Sequence, residues 1–322
     1  MSQLVWRPSA ALQVLSERAA MLGRVRSHFA EQGVIEVDTP QLSRAGVTDI
    51  HLESVPAELS GAGRMYLQTS PEYPMKRLLA AGLGDCYQIC HVFRDGERGT
   101  RHNPEFTMIE WYRLGFDAPR LMDDVEALVS RAVAGVRTLA PPRRITYRQA
   151  VMELAGTDPM TATPAELRMT LTRHAIDVPV SATDAEALLD LLVSAVVGPG
   201  LGRDAPVFLY DYPASQASLA RIRPGEFPVA ERFELYLDGI ELANGFHELA
   251  DSRELRRRFE SDLAERARRG QPPRPLDERF LASLQQGLPD CAGVALGFDR
   301  LVMAALSLPA IDAAMTFPVE FA

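Results

Sequence analysis

Residues 92–113 read VFRDGERGTRHNPEFTMIEWYR, and they constrain the fold more than any other stretch. The flanking segments CYQICHVF (86–93) and FTMIEWYRL (106–114) mix β-branched and aromatic side chains, the mark of buried strands. A charged, glycine-bearing loop joins them. Phe93 and Arg94 close the first strand and Phe106 opens the second. A guanidinium at that strand end, Arg94, can clamp a phosphate through two charge-assisted bonds. Arg101, His102 and Asn103 suit the outer phosphates of a nucleotide, and Phe106 can stack on a purine. The plainer alternative is a surface hairpin with an ordinary ion pair.

Before this hairpin, Leu12, Leu15, Met21, Leu22, Val25 and Phe29 recur at helical spacing, with Ser9 as the expected N-cap and Gly33 as the stop. VIEVDTPQL (34–42) reads as extended and RMYLQT (64–69) as a strand. From about 118 to 200 the pattern turns helical, in RLMDDVEALVSRAVAGV, TPAELRMTLTRHAI and TDAEALLDLLVSAVV, as a helical insertion in a β-rich core. PVFLYDYPAS (206–215) returns to strand. RFELYLDGIELANGF (232–246) reads as two strands about an Asp238-Gly239 turn. Asp251 and Glu254 predict a capping box for the following helix. GVALGFDRLVMAAL (293–306) predicts a glycine-bearing turn running into a helix.

A chain of 322 residues, 47% hydrophobic and 24% charged, can bury a core without disulfide or metal staples. It is expected to form a single domain over residues 1–322. Cys86, Cys90 and Cys291 read as reduced core thiols. The first residues lack a basic, then apolar, leader, and no apolar run is long enough to span a bilayer; a cytoplasmic protein is expected. The net charge of −9 weighs against a partner that is a long polyanion. Basic residues cluster in 253–270, where interleaved acids favour a solvated helix face.

Three further stretches carry chemistry. GVALGFDR (293–300) has small residues that let a ligand approach the backbone, and Arg300 can meet a nucleotide opposite Arg94. GIELANGFHEL (239–249) places Glu241 and Glu248 seven apart, and two carboxylates beside a triphosphate suit Mg²⁺. In TSPEY (69–73), a buried Glu72 can capture an ammonium group if tightly hydrogen-bonded.

Together these pieces resemble the three signature motifs of class II aminoacyl-tRNA synthetases of the lysyl type. GVIEVDTPQL resembles motif 1, FRDGERGTRHNPEF motif 2 and GVALGFDR motif 3, and the resemblance runs from about residue 10 to 320. Motif 1 begins near residue 33, where lysyl-type enzymes first carry an anticodon-binding domain, so none is expected here. That arrangement, with TSPEYPMKRLL, HNPEFTMIEWYR, YPASQASLA and VAERFELY, is similar to the elongation factor P–(R)-β-lysine ligase family.

The resemblance implies an α+β fold, the class II synthetase catalytic core, with an antiparallel β-sheet flanked by helices. It implies ATP and Mg²⁺, (R)-β-lysine and elongation factor P as substrates, a homodimer, and neither tRNA nor a membrane as partner. Arg94, Arg300, Glu241 and Glu248 become the expected catalytic residues, with Glu241 and Glu248 holding Mg²⁺. Ser70, Pro71, Glu72, Tyr112 and Glu248 are expected on the amino acid. Arg94, Asp95, Gly96, Asn103, Phe106, Glu241, Leu242, Gly297 and Arg300 are expected on ATP.

Two departures from the family of true synthetases stand out. Motif 3 commonly has a glycine where this chain has Ala295, and the added methyl is expected to narrow the amino-acid pocket. Motif 2 commonly reads F-R-x-E, but Gly96 occupies the glutamate position. Either Glu97 or Asp95 replaces that glutamate, or no carboxylate serves there. The alternatives are an asparagine synthetase-like ligase, a lysyl-tRNA synthetase-like enzyme, or a binding paralogue without chemistry.

Overall fold

A computed structural model describes residues 6–180, 182 and 184–322. The expected leader-free start (1–5) and the start of the last insertion helix (Thr183) lie partly or wholly outside the described residues. Helix α1 (Leu12–Glu31) buries Met21, Val25 and Phe29. Its expected cap is corrected: the helix begins three residues after Ser9, from an extended Ala11 that offers no side-chain cap. Ser9 and Ala10 instead donate their backbone N–H groups to Thr316 and Met315, and this pairing takes up the residues before the helix. Leu12 is also off the buried face, exposed to 72%.

The chain then makes β1 (Ile35–Glu36), and β2 (Leu42–Ser43), β3 (Pro56–Leu59) and β4 (Gly63–Leu67), the last three forming a small sheet in the order β2-β4-β3. Helix α2 (Glu72–Ala80) follows. The hairpin β5 (Cys86–Phe93) and β6 (Glu105–Leu114) pairs in continuous antiparallel register from Cys86 opposite Tyr112 to Phe93 opposite Glu105.

The segment expected as a purely helical insertion is divided. Helix α3 (Ala118–Ala132) packs Leu121, Val125 and Val129 into the same core as Trp111, Phe29 and Phe233. Next comes a strand the sequence pattern does not reveal, β7 (Arg143–Thr146), parallel to β8 (Val207–Pro213). Its four residues are too few for a periodicity signal, and the unpaired backbone of β8 decides the conformation. Only α4 (Tyr147–Ala155), α5 (Pro164–Arg173), α6 (Ala185–Leu192), a π-helical turn at Val193–Val197 and α7 (Gly198–Gly200) form the insertion proper. They share a second core with one face of β8.

Strands β9 (Ile222–Arg223), β10 (Val229–Leu237) and β11 (Ile240–His247) follow. Asp238 and Gly239 make the tight turn between the last two, both at positive φ (54° and 71°), as a two-residue hairpin requires. Helix α8 (Ser252–Arg268) starts at Asp251, whose carboxylate accepts from the N–H groups of Arg253 and Glu254. The reciprocal half of the expected capping box is absent, because the Glu254 carboxylate pairs with Arg257 and Arg258. Helix α9 (Glu278–Gly287) leads into β12 (Cys291–Gly297) and α10 (Phe298–Ala305).

Residues 293–297 are therefore a strand, not the expected turn. β12 pairs with β6 on one side and β11 on the other, at the centre of the sheet β1-β5-β6-β12-β11-β10-β8-β7, with β9 on β10. The sheet is antiparallel apart from β1 on β5 and β7 on β8. Helices flank it in the expected α+β arrangement.

Asp299 ties α10 to the hairpin and to α1. Its buried carboxylate accepts the Thr107 N–H at 2.6 Å and Arg18 Nη2 at 2.8 Å. Removing one partner of such a pair strands the others in a poorly hydrated place. Asp299→Ala is expected to cost about 3 kcal/mol, near the low end for a buried pair because Arg18 retains some access to water. A urea midpoint within error of the parent would contradict this assignment.

Candidate active site

One large cavity, about 1270 Å³, opens over the face of β6, β12 and β11. Strand alternation aims Phe106, Met108, Glu110 and Tyr112 of β6 into it, beside Gly293, Ala295 and Gly297 of β12. The loop before α2 brings Ser70, the first turn of α2 brings Glu72, and the hairpin loop brings Arg94, Glu97, Arg101, His102 and Asn103. Glu241, Leu242 and Glu248 come from β11 and its end, and Arg300 from α10.

At one end the groups are cationic. The Arg94 guanidinium lies over the Phe106 ring, 5.1 Å from its centroid, and Nε donates to the Thr69 carbonyl at 3.4 Å. Arg300 donates to the carbonyls of Arg101 and Glu241 at 3.2 and 3.1 Å, and stands 3.8 Å from the Glu241 carboxylate. Burial, then Arg300, lowers the pKa of His102 and keeps its ring neutral.

At motif 2, Gly96 is at φ +78°, a conformation suited to glycine. Beyond it, Glu97 turns to the cavity with its carboxylate 3.6 Å from Arg94. Asp95 is exposed and donates its N–H to the Glu53 carbonyl. Asp95, Gly96 and Pro71 do not line the cavity wall, whereas the other residues singled out in the sequence do. Asn103 lines the wall but spends its amide on the loop, donating to the Glu105 carbonyl at 2.6 Å and accepting from the Val319 N–H at 3.1 Å.

At the other end three carboxylates lie together, Glu110 and Glu248 buried and Glu72 partly so. Glu110 accepts from Ser70 Oγ at 2.8 Å and from the Tyr112 hydroxyl at 2.6 Å. Glu72 and Glu248 flank Lys76, with Nζ 2.5 Å from Glu72 Oε1 and 2.6 Å from Glu248 Oε2. Burial, then the neighbouring Glu72, pushes Glu110 up to about 7. Burial pushes Glu248 up to about 8, against the pull of Lys76. Lys76 is itself opposed by burial, but Glu248 and Glu72 outweigh that and hold it above its ordinary value. A raised carboxylate pKa stabilises the fold below the ordinary range and loses that contribution as pH rises towards 8. Glu110 and Glu248 thus bind protons near neutrality.

Lys76 and Glu110 were not singled out in the sequence. The signals were present: Glu72 and Lys76 stand four apart on a helix, and Glu110 is a charge in the middle of a buried strand. Among the described residues, no group of three or more His, Cys, Asp or Glu is placed to hold a metal ion. Glu241 lies at the arginine end, 3.8 Å from Arg300, and Glu248 at the other end against Lys76, so the two expected metal ligands do not meet at one point; Glu241 is the carboxylate that suits a hard cation sharing its other ligands with phosphate and water. Burial pushes the Cys86 and Cys90 thiols up to about 12, and all three cysteines are buried and free.

The basic stretch on α8 does not form a uniformly solvated face. Arg266 is buried and pairs with Glu53 at 2.7 Å, because that helix face packs on the loop at 49–53. Arg256 pairs with Glu278, and Arg257 and Arg258 with Glu254, which leaves little unpaired positive charge for an acidic partner. Among the described residues no helix is long and apolar enough to cross a membrane.

The family model of class II tRNA synthetases (D, K and N) matches residues 2–320. A protein of Vibrio parahaemolyticus serotype O3:K6 named elongation factor P–(R)-β-lysine ligase is 46% identical over 326 residues, covering 99% of this chain and all of the relative. Proteins of the same name from Klebsiella pneumoniae (strain 342) and Salmonella typhi are 47% and 46% identical over 321 residues, covering 98% of each chain.

The glycines of β12 separate tight packing from simple proximity. A Cβ at Gly293 would stand 2.2 Å from the Tyr112 ring and 2.7 Å from Glu248 Oε1, whereas one at Gly297 meets nothing closer than 3.7 Å. Gly293→Ala is expected to destabilise by about 1–3 kcal/mol through overpacking. Gly297→Ala is expected to stay within about 0.5 kcal/mol. Equal urea midpoints for the two variants would contradict the crowding at Tyr112.

Proposed function

The chain belongs to the class II tRNA synthetases of the D, K and N type and, among them, to the elongation factor P–(R)-β-lysine ligases, and we propose that it activates (R)-β-lysine with ATP and joins it to a lysine of elongation factor P. The observation that carries this reading is one cavity with an arginine-bearing end and a three-carboxylate end, two of whose carboxylates are buried. The first suits a polyphosphate and the second an amino acid rich in ammonium groups.

In the first step the substrate carboxylate attacks the α-phosphorus, a P–O bond forms, and the bond to pyrophosphate breaks. Arg94 steadies the charge on the α-phosphate and Arg300 the outer phosphates. Phe106, backed by Arg94, offers the purine a face. Asn103, Leu242 and Gly297 line the nucleotide, and Asp95 and Gly96 act through backbone. Glu97 takes the place of the usual motif 2 glutamate, supported by its turn toward Arg94. Glu241, beside Arg300 at the phosphate end, would be the carboxylate to hold Mg²⁺, which would supply further charge neutralisation at the phosphates; Glu248, at the other end against Lys76, is left to the amino acid.

In the second step the acceptor ε-amine, having lost its proton, attacks the acyl carbon. A C–N bond forms, the C–O bond to AMP breaks, and the second amine proton leaves with the product amide in place. Ser70, Pro71, Glu72, Tyr112 and Glu248 position the amino acid, with Glu110 added to that set. Ala295, packed beside Met108 and Phe106, narrows the floor in favour of the β-amine. We take the chain as one catalytic unit over residues 1–322, working in the cytoplasm on a protein rather than on tRNA. A homodimer through the edge at β1, where Ile35 is 47% exposed, completes the reading.

Pyrophosphate exchange tests it, with (R)-β-lysine, L-lysine and L-aspartate compared. Exchange is expected with (R)-β-lysine first, followed by a mass gain of elongation factor P. Exchange with L-aspartate alone would overturn the proposal. Arg94→Ala is expected to lower the exchange rate by about 10²–10³. Because this carboxylate cage must give up protons to bind ammonium groups, affinity for the amino acid is expected to rise from pH 6 to pH 8. Calorimetric titration across that range shows the slope, and a falling affinity would exclude the buried carboxylates as its site.

A further inference from the structure

Lys76 is 1% exposed, and its ammonium bridges a carboxylate on its own helix, Glu72, to one at the end of β11, Glu248. The Tyr112 ring lies 6.0 Å from Nζ, and the Tyr112 hydroxyl holds Glu110. Among the described residues, Lys76 is the cation that acts most strongly on both Glu110 and Glu248. The contact to Glu248 Oε2 is short but poorly aligned, so that oxygen keeps no proper hydrogen bond. A buried Lys–Glu–Glu cluster is a poor device for stability, since a well-packed apolar replacement is often as good or better. It is a good device for fixing a charge.

We propose that Lys76 is a specificity-determining residue: it permanently cancels one of the three carboxylates around it, so that the cage is satisfied by two ammonium groups and not by one. This rests on the reading that this end of the cavity takes the amino acid. With Glu72, Glu110 and Glu248 ionised and Lys76 charged, the cage is two negative charges short of neutrality. A diamino acid supplies both. An amino acid with a neutral side chain leaves a carboxylate buried and unpaired, and a site built around such a pairing rejects it strongly. Lys76 touches no reacting atom in this scheme and acts through Glu72 and Glu248.

Titration calorimetry on the full chain without ATP tests the idea, using 3,6-diaminohexanoate, which is β-lysine, against 3-aminohexanoate, which lacks the distal ammonium. The parent protein is expected to favour the diamino acid by about a hundredfold or more. Glu248→Gln leaves the cage one charge short, and that preference is expected to fall at least about tenfold. Lys76→Met leaves it three short, so one carboxylate stays unmatched even by the diamino acid, and the affinity for that ligand is expected to fall at least about tenfold. The double variant Lys76→Met/Glu248→Gln restores the two-charge deficit and is expected to recover most of the preference that Glu248→Gln forfeits. Unchanged affinity for the diamino acid in Lys76→Met, or a double variant no better than Glu248→Gln, overturns the role of Lys76 and leaves the substrate reading intact. A parent protein without preference for the diamino acid overturns the substrate reading itself. If Lys76→Met does not fold, the comparison of parent, Glu248→Gln and the double variant still decides the matter.

Discussion

The closeness of β12 to its surroundings governs the rest of the structure. The strand lies between β6 and β11 with its glycine-bearing face under the cavity. At Gly293 there is no room for a side-chain carbon, because Tyr112 and Glu248 occupy that space. On β11, Gly245 likewise yields to the Phe233 ring on its neighbour β10, a Cβ there standing 2.4 Å from the ring. The missing side chain at Gly293 lets the Tyr112 ring and the Glu248 carboxylate sink into the sheet on the cavity face, while Gly245 makes room on the core face. The polar end of the cavity is deep for this reason, and its carboxylates are perturbed because it is deep.

Depth also divides the labour of the charged groups. The arginines at the nucleotide end keep partial access to water and hydrogen-bond to carbonyls, so they can exchange those contacts for phosphate oxygens at modest cost. The carboxylates at the other end have no such freedom. They are held by Ser70, Tyr112 and Lys76, and a ligand must bring charge to match them. Position is fixed there before any ligand arrives, which is how a binding site limits the ordering it must do.

Much of this was legible in the sequence where a pattern is local. The hairpin strands, the Asp238-Gly239 turn and the order of the three motifs follow from side-chain type and spacing. The misreadings have physical causes. Residues 293–297 read as a turn because glycine signals one, but here glycine records a close approach within a strand. β7 was missed because its partner strand, far along the chain, supplies its reason to be extended. Ser9 gives up its capping role to a pairing with residues 315–316 that no local rule shows. Lys76 and Glu110 went unremarked because burial, not identity, makes a lysine or a glutamate unusual. The turn of Glu97 into the cavity depends on the positive φ of Gly96, a backbone property that a one-place shift in the letters conceals.

The Asp238-Gly239 turn is more than a reversal between strands. Arg137, just past α3, pairs with Asp238 at 2.5 Å, and Arg101 of the hairpin loop donates to the Gly239 carbonyl at 2.6 Å. The N–H groups of both turn residues donate to Gly202 and Leu201, at the exit from the insertion. A Cβ on Gly239 would meet the Pro199 carbonyl at 2.8 Å. Three distant parts of the chain therefore meet at two residues. The insertion is thus not a detachable appendage: shortening it by design or by descent would remove the acceptors that hold this turn, and with them the anchor of the loop that carries Arg101. Its length can vary only in the parts that face away from that junction.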